Sequence, residues 1–137
     1  MKIKQLSIFW ENKTGSLFEV LDILDENDIN LRALSIADAN DFGILRMIVD
    51  EPVMVKQLLQ ENDLLVKDSE IVAIEMDDRP GSLASILKVL KNNVIDLEYF
   101  YAFANEKTNK ANLFLHTADL DSLIEVLQEN GIKILKF

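Results

Sequence analysis

A chain of 137 residues, 49% of them hydrophobic, can bury a core, while a formal charge of −10 argues against nucleic acid or an anionic membrane as partner, because both need clustered Lys and Arg. The absence of Cys excludes disulfides and thiolate metal sites, and no apolar run approaches the roughly 20 residues of a membrane span. The start, Met1-Lys2-Ile3-Lys4, runs straight into a strand pattern without the features of a signal peptide, so a soluble cytoplasmic protein is expected.

Leu6, Ile8 and Trp10 alternate with Gln5, Ser7 and Phe9, which predicts a strand with one face inward. A turn cluster, Asn12-Lys13-Thr14-Gly15, follows. The period then changes: Leu17, Val20, Leu21 and Leu24 fall at i, i+3, i+4 and i+7, the apolar stripe of a helix, and Asn27 is its predicted stop, as a residue that tolerates the left-handed conformation. Strands are predicted over 31–37 and 44–49. Pro52 opens a helix over 52–61 with Val55, Leu58 and Leu59 inward, and 64–66 reads as a short strand. Lys67-Asp68-Ser69-Glu70 reads as a brief joint. The same order then returns. Val72, Ile74 and Met76 repeat the first strand, Asp78-Arg79-Pro80-Gly81 the turn, and Leu83, Ile86, Leu87 and Leu90 the helical stripe, with Pro80 suited to a first helical turn and Asn92-Asn93 to a stop. Strands follow at 97–104 and 111–116, then a helix over 119–129 opened by Asp119 and closed by Gly131, and a last strand at 132–135.

The two halves are copies of one unit. Gly-Ser-Leu stands at 15–17 and again sixty-six residues later at 81–83, and Leu59-Gln60-Glu61-Asn62 returns as Leu127-Gln128-Glu129-Asn130. The boundaries are set at 1–68 and 69–137. Each unit reads β-α-β-β-α-β, the split ferredoxin-like arrangement of an α+β fold, with an antiparallel sheet covered by two helices on one face. A unit of this size buries only roughly 60% of its unfolded surface, so the two are expected to share an interface. The strand at 97–104 is apolar on both faces, Tyr99, Tyr101 and Phe103 on one and Phe100, Ala102 and Ala104 on the other, so its second face is expected to meet another surface.

Asp78-Arg79-Pro80-Gly81-Ser82-Leu83-Ala84 after a strand closely resembles the ACT domain family, and Asn12-Lys13-Thr14-Gly15-Ser16-Leu17 is a second, weaker match with Thr14 where the family prefers Pro. The resemblance covers nearly the whole chain as two tandem ACT units with no other domain. It implies modules that bind amino acids and regulate metabolic enzymes, pair side by side into a pseudo-symmetric eight-stranded sheet, and hold ligand where the units meet. It further implies a ligand site made from the loop between first strand and first helix and from a polar residue just before the second strand of the facing unit. Here those are Asn12, Lys13, Thr14, Gly15 and Ser16 with Asn30, and Asp78, Arg79, Pro80, Gly81 and Ser82 with Asp96. The gap from Asn12 to Asn30 and from Asp78 to Asp96 is eighteen residues in both copies. The position two before the loop polar group, often a ligand contact in the family, holds Trp10 or Met76. A homodimer is also implied.

These residue types suit a free amino acid. A helix start offers unpaired N–H groups and a partial positive charge to a carboxylate. Gly15 and Gly81 let a ligand approach the backbone, and an Asp or Asn accepts from an ammonium. If each site joins one unit's loop to the other's second strand, Asn12 meets Asp96 and Asp78 meets Asn30; sites within one unit would be Asn/Asn and Asp/Asp, and close carboxylates repel. Plainer readings stand beside these. The Gly-Ser-Leu turns also serve structure alone. Trp10 reads as core or interface packing before a ligand shelf, His116 as structural, Arg46 as a sheet-surface ion pair, and the acidic helix faces as solvated surface. Tyr99 and Tyr101 pack an interface or line its pockets.

The expected function is an amino-acid-binding regulatory or sensor module. The alternative is a stand-alone regulatory subunit that docks on a metabolic enzyme with vestigial ligand sites. No nucleophile–base pair and no metal-ligand cluster is found in the sequence, so no catalytic residue, metal or cofactor is assigned and an enzyme is not expected.

Overall fold

The computed structural model describes residues 1–11, 15–39 and 41–137, Ala39 by its backbone. These residues divide into two compact units, Lys4–Ser69 and Glu70–Phe137, the second including Met1–Ile3.

The first unit contains β1 (Ile3–Glu11), α1 (Ser16–Glu26), β2 (Leu31–Ala39), β3 (Phe42–Val49), α2 (Pro52–Glu61) and the beginning of β4 (Leu65–Asp77). Its strands are ordered β2-β3-β1-β4, with β1 and β2 both antiparallel to β3. Leu6 and Ile8 of β1 and Leu45, Met47 and Val49 of β3 meet Val20 and Leu24 of α1 and Val55 and Leu59 of α2 in one buried cluster. Both helices therefore cover one face of the sheet, because side chains two apart on a strand share a face.

The second unit contains the rest of β4, α3 (Ser82–Asn92), β5 (Tyr99–Asn105), β6 (Lys110–His116) and α4 (Leu120–Glu129), with strands ordered β4-β6-β5. Val72, Ile74, Leu113 and Leu115 meet Ile86, Leu90, Leu123 and Leu127, again with both helices on one face. On the opposite face Phe114 is 2% exposed. The rings of Tyr101 and Phe137 lie 5.0 and 5.8 Å from it. The face of β5 that carries Tyr101 and Phe103 is thus covered in part within its own unit, while Phe100 and Phe103 are 41% and 44% exposed.

Six strands are assigned among the described residues, not the eight expected, for two reasons. The expected joint at 67–70 is part of a continuous β4. Its polar side chains do not break a strand that has no Gly or Pro, and they have partners: Gln5 donates to Ser69 at 3.3 Å, and Asp68 accepts from Lys56 and pairs with Lys4. Lys56 holds the Asp68 carboxyl below its ordinary value by hydrogen bonding and charge. The expected strand at 132–135 makes one bridge, Ile74 to Ile134. It is held by Glu75 donating to the Lys133 carbonyl at 3.0 Å and Leu135 to that of Ala73 at 2.8 Å.

The four helices among the described residues end alike. Asn27, Asn62, Asn93 and Asn130 each donate a side-chain N–H to the carbonyl four residues back, at 2.8–2.9 Å. The Asn itself keeps negative φ, −107° at Asn27, and the next residue turns left-handed: Asp28, Asp63, Val94 and Gly131. An Ile or Leu then donates back across the turn, as Ile95 does to the Leu90 carbonyl at 2.9 Å, which closes a Schellman motif. This corrects the expectation that Asn takes the left-handed position. At φ 56° and 85% exposure, the branched Val94 is strained and gains little from burial. Val94→Gly is therefore expected to raise stability by about 1 kcal/mol, the left-handed penalty outweighing the entropy of glycine, as read by urea unfolding. No helix among the described residues is long and apolar enough to cross a membrane.

Candidate functional site

Both Gly-Ser-Leu glycines sit at the start of a helix with positive φ, +86° at Gly15 and +90° at Gly81, and neither helix has a side-chain cap. A Cβ at either position would meet nothing within 4 Å, so the glycine is required by its φ and its backbone faces open space. α4 differs: Asp119 caps it, accepting from the Ser122 N–H at 3.1 Å and its hydroxyl at 2.7 Å. Being Gly, the N-cap residues of α1 and α3 supply no side-chain acceptor to the first-turn N–H groups.

In the second unit a cleft of about 600 Å³ opens at this helix start. Met76, Arg79, Pro80, Gly81 and Ser82, all anticipated from sequence, line it. So do Glu75, Asp77, Lys110 and Lys133, which were not anticipated. Asp77 and Lys110 are partners across β4 and β6, and the ammonium donates to the carboxylate at 2.5 Å. Arg79 lies 3.7 Å from the same carboxylate, and Lys133 lies 3.5 Å from Glu75. The cleft therefore alternates three cations with two anions. Asp78 is not among the lining residues; its N–H is tied to the Asn109 carbonyl at 2.9 Å.

The hydrogen bond and charge of Lys110, with Arg79 adding to them, hold the Asp77 carboxyl below its ordinary value of 3.8. A carboxyl depressed by folding stabilises the native state above its unfolded pKa, and that contribution is lost as pH falls through the folded value. Asp77→Asn is thus expected to destabilise slightly at pH 6, with the difference from wild type closing below about pH 4, in urea melts across that range. The group is exposed, so the effect is small.

In the first unit the smaller cleft, about 290 Å³, is lined by Trp10, Gly15, Leu17, Phe18, Ile36, Ala37, Asp38 and Gly43. Ser16 is buried at the base of α1. Asn12, Lys13 and Thr14 lie outside the described residues. Trp10 and Gly43 are cross-strand partners, and a Cβ on Gly43 would stand 2.6 Å from the indole. The equivalent pair in the second unit is Met76 and Ala111, so the larger ring goes with the smaller partner.

The polar residues before the second strands are elsewhere in their own units. Asn30 lines a pocket with Asp50 and Glu51. Asp96 lines one with Asn93, Thr117 and Asp119, and its carbonyl accepts from the Thr117 hydroxyl at 2.7 Å. Each lies beyond the C-terminal end of an eleven-residue helix that the glycine caps at its start, about 16 Å away at ~1.5 Å per residue. Asp78 and Asp96 line no common pocket among the described residues, while Asn12, the loop partner named for Asn30, lies outside them. His116 has a structural setting: Nδ1 is 3.0 Å from the Glu70 carbonyl, Nε2 is 3.2 Å from Glu98, and the ring stacks on Tyr99 at 4.8 Å. Arg46 lies mid-strand between Ser7 and Ser35.

Comparison with known proteins follows the same lines. A solved structure of a protein from Bacteroides thetaiotaomicron is 43% identical, with a TM-score of 0.92 over 98% of this chain and 92% of that one. The ligand-free regulatory subunit of aspartate kinase from Thermus thermophilus is 10% identical, with a TM-score of 0.66 over 92% of this chain and 91% of that one. The corresponding subunit from Thermus flavus is 10% identical, with a TM-score of 0.63 over 92% and 90%. The likeness to these last two is one of fold. No curated protein matches. A family model described as an ACT domain pair matches residues 1–136, and the chain belongs to the ACT domain family.

Proposed function

We propose that this ACT domain pair is a regulatory module that binds a free amino acid in the clefts at its two Gly-Ser-Leu helix starts. The observation that carries the reading is its duplication: in each copy an uncapped, left-handed glycine at a helix start lines a cleft that also holds a carboxylate. The helix start suits the ligand carboxylate. Asp77 and Glu75 in one cleft, and Asp38 in the other, suit its ammonium. Trp10, Gly15, Met76, Arg79, Pro80, Gly81 and Ser82 are the proposed lining. The proposal assigns no common ligand to a helix-start glycine and the Asn30 or Asp96 of its own unit, which stand a helix length apart.

A second reading, a regulatory subunit that docks on a metabolic enzyme or on its own copy, is favoured by one feature. β5 stands at the end of its unit's strand order, carries no charged residue, and exposes Phe100 and Phe103. Thermal melts with each standard amino acid at millimolar concentration separate the two readings. A ligand at about 100 times its Kd adds about 2.7 kcal/mol, a shift of several degrees. A shift with one or a few amino acids is expected, and no shift with any of them transfers the reading to docking.

A further inference from the structure

We propose that the cleft of the first unit is selective for a free amino acid with a large apolar side chain, which lies on the indole of Trp10; this rests on the reading of the clefts as amino-acid sites. The walls are the apolar side chains of Trp10, Leu17, Phe18, Ile36 and Ala37, with Gly43 beneath the indole. A Cβ at Gly43 would stand 2.6 Å from Cζ2 and 2.8 Å from Cε2, so the indole rests against the glycine in space that a side chain there would take. Trp10 thereby serves as both packing for the core and a wall of the cleft. Phe18 is 69% exposed and Ile36 50% exposed, and an apolar guest would take both partly out of water.

Size and charge narrow the guest. A volume of about 290 Å³ is at the lower end of small-molecule sites and suits one amino acid. Asp38 is the one charged side chain among the described lining residues. It provides an acceptor for the ammonium, and the start of α1 at Gly15 matches the carboxylate, so the zwitterionic head sits at the rim and the side chain on the indole. A charged side chain of either sign would lose hydration against the apolar walls. The second cleft, with Arg79, Lys110 and Lys133, has the opposite character. The two copies thus differ in the chemistry they accept.

The chain has one Trp, so its emission reports on this cleft. The intact protein would be titrated with L-phenylalanine, L-leucine, L-isoleucine, L-aspartate and L-lysine, reading Trp10 emission and, separately, heat by calorimetry. The expected result is a saturable emission change with the apolar amino acids and none with aspartate or lysine at equal concentration. Ile36→Asn, at a half-exposed position, and Gly43→Ala, which pushes the indole into the cleft, should each weaken the apolar response at least tenfold while circular dichroism stays that of wild type. Equal responses to charged amino acids, or wild-type responses in both variants, overturn the proposal. Heat without any emission change overturns it while leaving amino-acid binding in place. Neither heat nor emission change overturns both.

Discussion

Phe114→Ala is expected to cost about 3–5 kcal/mol, a large part of the roughly 5–15 kcal/mol that holds a small domain folded. β6 alternates: Leu113 and Leu115 face the helices, and Phe114 faces away from them. A residue on that side of a sheet would ordinarily be wet, yet Phe114 is 2% exposed. Its neighbours account for much of this. Tyr101 stacks on it at 5.0 Å and 18°, Phe103 meets it edge-on at 6.2 Å and 77°, and Phe137 tilts against it at 5.8 Å. Truncation leaves a ring-sized hole and dissolves three aromatic pairs, each worth about 0.5–1.5 kcal/mol beyond burial. Phe114→Leu keeps most of the volume and should cost less than half as much. Chemical unfolding monitored by circular dichroism measures both, and equal, small losses would mean that the cluster is not packed as described.

Replacing Arg79 and Lys110 together by Ala is expected to weaken amino-acid binding in the second cleft by about ten- to a hundredfold, as follows from losing charge-assisted hydrogen bonds worth roughly 1.5–3 kcal/mol. Both are exposed, and each interacts with Asp77, whose charge is left without its neutralising partners in the double variant. The unliganded protein should lose little stability, since exposed ion pairs are worth at most about 1 kcal/mol. The comparison to make is the ligand-induced melting shift in wild type and variant, using amino acids that leave Trp10 emission unchanged. A retained shift would remove these cations from the site.

Much of the fold was legible in the sequence because its signals occur twice. The stripes Leu17/Val20/Leu21/Leu24 and Leu83/Ile86/Leu87/Leu90 both form helices, and the strand–turn–helix order recurs in phase. The helix ends carry a pattern repeated four times: Asn, a left-handed residue, then Ile or Leu. Asn27 and Asn93 are legible as stops and Gly131 as the close of the last helix, but the left-handed turn of Asp28 and Val94 is not, since neither residue type gives a sign of it. The joint at 67–70 was misread because polarity suggested a loop, whereas a strand needs backbone partners and not apolar side chains. In the second cleft Lys110 and Lys133 were missed because they enter through pairing register, Asp77 opposite Lys110 and Glu75 beside Lys133. No local pattern encodes that register. The seating of Trp10 on Gly43 was hidden for the same reason.

The most direct test follows the glycine amides. The chain has only four glycines, so the signals of Gly15 and Gly81 can be assigned from Gly→Ala variants and followed by nitrogen–proton correlation spectra during amino-acid titration. Saturable shifts at Gly15, Gly81 or both, larger than at Gly131 (which closes α4 away from a helix start), are the predicted result. Perturbations that spare both helix starts, while an amino acid demonstrably binds elsewhere, would contradict the account.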